Sequence, residues 1–76
     1  MLPNKVVTFP ESLIWYFPDI LEVASECDIG IEDLWIKMES KINDINTFIL
    51  CLDALYALDK LEYIEKYGVI KYVKEN

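Results

Sequence analysis

The chain has 76 residues, 54% of them hydrophobic, and a formal net charge of −7 from 14 carboxylates and seven lysines, with no arginine and no histidine. That length allows one domain, which buries only about 60% of its unfolded surface, and the apolar content, above the usual ~45–50%, excludes disorder. The charge argues against nucleic acid, whose binding rests on neutralising phosphates with Lys and Arg, and it helps to keep an apolar small protein in solution.

The lack of His removes imidazole acid–base chemistry, and two isolated cysteines, Cys27 and Cys51, do not have zinc-site spacing. Both are expected as reduced thiols acting as small core hydrophobes, which suits a cytoplasmic protein. No apolar run near the start has signal-peptide length. The longest uninterrupted one, Phe48 to Leu52, is far below the ~20 residues of a membrane span. Neither a membrane nor a cofactor is expected.

Met1 to Val7 reads as an extended arm. Thr8 and Glu11 have capping-box spacing, with Pro10 tolerated in the first turn of the helix that follows. Pro18 stands in the middle of that helix, yet the stripe Phe9, Leu13, Tyr16, Phe17, Ile20, Val23, Ala24 and Cys27 keeps its phase across it. A kinked helix is predicted, not a domain break. Asp28-Ile29-Gly30 is a turn. A second helix over 32–41 places Ile31, Leu34, Trp35, Met38 and Ile42 on one face.

The stretch from Asp44 to Lys60 is the central helix. Asp44 caps its start and Lys60 complements its negative end. At 100° per residue its core face is predicted to hold Ile45, Phe48, Leu52, Leu55 and Tyr56. Ile49 lies on one edge, Cys51 and Leu58 on the other. Leu61–Ile64 and Val69–Val73, rich in β-branched and aromatic residues, flank Gly68 as a hairpin. Residues 74–76 should fray. Helix, helix, turn, long helix, hairpin is a winged-helix order. The expectation is an α+β, mostly α, winged-helix-like single domain over 1–76.

A winged helix usually reads DNA with the helix after the turn. Here no Lys or Arg falls between Lys41 and Lys60, and Asp53 and Asp59 do. Lys66, Lys71 and Lys74 on the wing are surrounded by Glu62, Glu65 and Glu75. No direct nucleic-acid contact is expected. Glu32 and Asp33 complement a helix dipole and do not form a catalytic pair, and no phosphate loop or metal constellation exists, so the chain is read as no enzyme. The informative residues are apolar and off the core stripes. Trp15 projects with Glu11, Asp19, Glu22 and Glu26; Ile14 and Leu21 share another edge. Ile36 stands between Glu32 and Ser40, and Leu50 lies beside Asn46 and Asp53. Ile14, Trp15, Leu21, Ile36, Leu50 and Asp53 are therefore the candidate partner-binding residues.

Four segments carry a resemblance: MLPNKVVTFPESLI, FPDILE, INDINTFILCLDALYALDKLEY and GVIKYV. They are similar to the small middle-component subunits of bacterial ABC-three-component, Lamassu-like systems. The block from Asp44 to Leu61 is the strongest part; Trp15-Tyr16 and Cys51 are departures from the pattern. The resemblance implies an antiphage system in which a Rad50- or SMC-like ABC ATPase and an effector, often a nuclease, are linked by an adaptor. Two other readings stand beside it. A self-associating module, forming a homo-oligomer, would use the same apolar patch. An acidic antitoxin or DNA mimic would gather its carboxylates on one face, whereas the acids here are spread over all the helices.

Overall fold

A computed structural model describes residues 9–74. The expectations for the arm over 1–7, for Thr8 as a cap and for residues 75–76 lie outside the described residues. The elements run α1 (Glu11–Ile14), α2 (Phe17–Glu26), β1 (Ile29–Gly30), α3 (Ile31–Met38), α4 (Ile45–Ala57), β2 (Leu61–Ile64) and β3 (Val69–Tyr72). This is the α+β class read from the sequence, and its order is compatible with a winged helix.

The kink of the first helix is a clean break. A continuous helix would need an N–H from Pro18 for the Ile14 carbonyl, and the proline ring would clash there. The chain instead interrupts at Trp15–Tyr16, where the Tyr16 N–H donates to Leu13 at 3.0 Å. It restarts at Phe17, so that Pro18 sits in the first turn of α2, where a missing donor costs nothing. α1 begins after Pro10, whose carbonyl accepts from Leu13 and Ile14.

The sheet has one strand more than the hairpin predicted. β3 pairs antiparallel with β2, Leu61 opposite Tyr72 and Ile64 opposite Val69. On its other side it pairs with β1, Ile29 opposite Ile70 and Gly30 opposite Val69, giving the order β1-β3-β2. Asp28-Ile29-Gly30 reads as a turn because two residues are too few for strand periodicity. The buried Ile29 side chain is what anchors the strand. Gly68, at φ 64, supplies the left-handed residue of the hairpin loop.

Both ends of α4 are chemically fixed. The Asp44 carboxylate accepts from the Asn46 N–H and from the Thr47 hydroxyl, each at 3.1 Å. At the far end the Lys60 N–H donates to Leu55 at 2.9 Å and the Asp59 N–H to Tyr56 at 3.0 Å. Asp59 itself is left-handed, at φ 60. That pair of bonds is a Schellman termination, with an Asp where Gly is commoner. The helix thus closes at Ala57, and Lys60 belongs to its cap.

The core gathers Ile20 from α2, Leu34 and Met38 from α3, Ile42, Phe48 and Leu55 around α4, and Ile70 from β3, each at most 1% exposed. Trp35 packs beside Phe48, ring centroids 5.1 Å apart. Cys51 is buried, but Cys27 is exposed beyond the end of α2, so only one of the two expected core thiols is in the core. Cys27 caps α2 in extended geometry, which turns the chain out of the helix before its side chain can reach the interior.

Candidate partner-binding surface

The phase of α4 decides what is left on the outside. Its buried residues are Phe48, Cys51, Leu52, Ala54 and Leu55. At 100° per residue this face is turned by roughly 70° from the one predicted around Ile45 and Tyr56. The cause is α1. It packs across α4 where the side chains are small, and the Cys51 thiol donates to the Leu13 carbonyl at 3.6 Å. Burial pushes the Cys51 thiol pKa up, so it stays protonated and inert. With Cys51 and Ala54 drawn inward, Ile45 and Ile49 rotate out, to 50% and 42% exposure.

The outer face of α4 therefore carries Ile45, Ile49 and Leu50 around Asp53, over an arc of about 140°. Sequence reasoning placed Ile45 in the core and Ile49 on its edge. The signal that points the other way is the small pair Cys51 and Ala54, spaced i, i+3, which lets a second helix approach closely. On the edge nearest this face, Tyr56 is half-buried, and its hydroxyl has no hydrogen-bond partner among the described residues. Burial first, then the charge of Asp53 and the neighbouring Tyr63, hold that phenol above its ordinary pKa.

Leu50 precedes Cys51, and Ile14 and Trp15 follow Leu13. At about 100° per residue Cys51 lies roughly 100–160° around α4 from Leu50, Ile45, Ile49 and Asp53, so this contact docks α1 on the buried side of α4 and leaves Ile14 and Trp15 exposed at the end of α1. Trp15 is 79% exposed and Ile14 and Leu50 about half. Ile14, Trp15 and Pro18 floor an open groove at the α1–α2 elbow, edged by Glu11, Ser12 and Asp19. Asp19 already holds Lys41 at 3.5 Å.

The other candidate residues separate. Asp53 is exposed on the α4 face. Leu21 is half-buried and packs against the core, so part of its side chain serves folding. Ile36 is 62% exposed on α3, which packs chiefly on α2 and β1. It is not drawn together with the α1–α4 group. Two further aromatics are exposed near the hairpin, Tyr63 on β2 and Tyr67 in the loop, where Lys66 lies 5.5 Å from the Tyr67 ring centre.

A face of isoleucine, leucine and aspartate offers nothing to a phosphate backbone. The expected result of a gel shift with duplex DNA at physiological salt is no binding tighter than about micromolar. Salt-sensitive binding well below that would require a basic surface not present on α4. No helix among the described residues is long and apolar enough to cross a membrane.

Residues 2–70 match the family described as ABC-three component (ABC-3C) system Middle Component 7. No curated protein matches the chain, and no solved structure does.

Proposed function

The chain belongs to the middle component 7 family of ABC-three component systems, and from that premise we propose that it is a non-catalytic cytoplasmic adaptor joining the ABC ATPase of such a system to its effector. The observation that carries this reading is the outer face of α4. In a winged helix that face is the one that meets the partner. Here it presents Ile45, Ile49 and Leu50 where a DNA reader would carry Lys and Arg. Large aliphatic and aromatic side chains anchor protein interfaces when a partner removes them from water. Ile14 and Trp15 add exposed apolar area at the end of α1, and Asp53 supplies the charge of the α4 face.

An adaptor needs two surfaces that do not overlap. The α1–α4 surface is one, and the region of Ile36 on α3 is the second. The experiment is a three-way reconstitution with the ATPase and effector encoded alongside this chain. The expected result is a ternary complex by size-exclusion chromatography, and no stable ATPase–effector pair once this chain is omitted. An ATPase and effector that associate equally well without it would overturn the adaptor reading.

A further inference from the structure

The charge of this chain is not evenly placed. Every ionisable side chain charged at neutral pH between Val6 and Ile36 is a carboxylate, whereas from Lys37 onward six lysines stand against seven carboxylates. Essentially the whole net charge therefore sits on α1, α2 and the start of α3. The elbow groove lies in that acidic half. Its floor is apolar, from Ile14, Trp15 and Pro18, and its polar edge includes Glu11 and Asp19. Lys41 already pairs with Asp19 at 3.5 Å, while Glu11 has no ion-pair partner among the described residues and is the rim carboxylate left for an incoming cation.

These features together specify the chemistry of an occupant. We infer that the α1–α2 elbow docks a basic segment of a partner protein, with a Lys or Arg seated over the Trp15 ring and paired with Glu11, and an aliphatic residue against Ile14 and Pro18. The indole face attracts a cation within about 6 Å of its centre, Trp being the strongest of the aromatic rings in this role. An acidic rim steers a basic segment in and repels acidic competitors. The same argument opposes a symmetric groove-to-groove contact with a second copy, which would set the Glu11 and Asp19 carboxylates of both copies against each other. The inference rests on the reading of the α1–α4 surface as a partner surface and names what the partner must offer at one end of it.

The test uses the full chain as Trp35→Phe, which keeps an aromatic ring against Phe48 and leaves Trp15 as the sole indole. Its emission is followed while the ATPase and the effector of its own system are each added, at low salt and at about 0.3 M salt. The expected result is a blue shift with one of the two, and affinity at least roughly fivefold weaker at high salt. Glu11→Lys should lower that affinity about tenfold or more, and Glu11→Gln should flatten the salt dependence while the melting curve is unchanged. Binding that is indifferent to salt and to Glu11→Lys, with Trp15 emission unmoved, overturns the basic-segment inference and leaves the adaptor reading standing. Binding to neither component overturns both. A blue shift that appears on concentrating the chain alone, and grows with salt, overturns the inference in favour of self-association.

Discussion

Phe48→Ala should destabilise the chain by about 3–5 kcal/mol, the usual cost of deleting a large buried aromatic side chain and leaving a cavity. Phe48 is 0% exposed and lies at the end of the first turn of the helix on which the core is assembled. Its ring is also packed against Trp35, a pairing generally worth about 0.5–1.5 kcal/mol beyond the area it buries. A domain of this size has on the order of 4–11 kcal/mol of stability in total. The variant is therefore expected to be largely unfolded or to melt far below the parent, as read by urea titration of far-ultraviolet circular dichroism. The informative control is Ile45→Ala. On the predicted phase of α4 both residues share the core face and both should cost several kcal/mol. In the structure Ile45 is half-exposed, and its replacement should cost under about 1 kcal/mol. Equal losses at both positions would restore the predicted phase and remove the outer face.

That control isolates what could be read from the residues and what could not. The α4 helix, its Asp44 cap, the burial of Phe48, Leu52 and Leu55, and the hairpin around Gly68 all follow from local signals: periodicity, a capping carboxylate, a glycine between two β-rich runs. The rotation of α4 does not. It depends on where α1 lands, and α1 lands on Cys51 and Ala54 because Pro18 cuts the first helix and frees a four-residue piece to cross over. The apolar arc of α4 is wide enough to bury either half, so periodicity alone cannot choose. β1 escapes for a related reason. Its two residues become a strand only because β3 has a free edge beside them. On the surface, Trp15, Ile14, Ile36, Leu50 and Asp53 were legible because each stands off its own stripe. Ile45 was not, since it stands on the stripe, nor was Ile49, which lies at its edge.

The second large effect is expected on binding, not on folding. Leu50→Ser should leave the melting transition within about 0.5 kcal/mol of the parent, because the side chain is already about half in water. If the outer face of α4 is an interface, the same change should weaken association by about 2 kcal/mol or more, roughly thirtyfold, as anchor residues do. On the adaptor reading Trp15→Ser should act on the same partner, as an exposed apolar anchor on α1, the helix packed against α4. Ile36→Ser should act on the other partner or not on this one, because it stands on α3, which packs chiefly on α2 and β1. The measurement is pairwise titration of each variant with the ATPase and with the effector, alongside thermal melts. Leu50→Ser and Trp15→Ser losing one partner while Ile36→Ser loses the other is the pattern of an adaptor with two surfaces. Loss of folding in all three would make these residues part of the core, contrary to their exposure. Unchanged affinities with intact folds would mean that the exposed hydrophobes of α1, α3 and α4 are ordinary surface, since single apolar side chains in water need no partner to explain them.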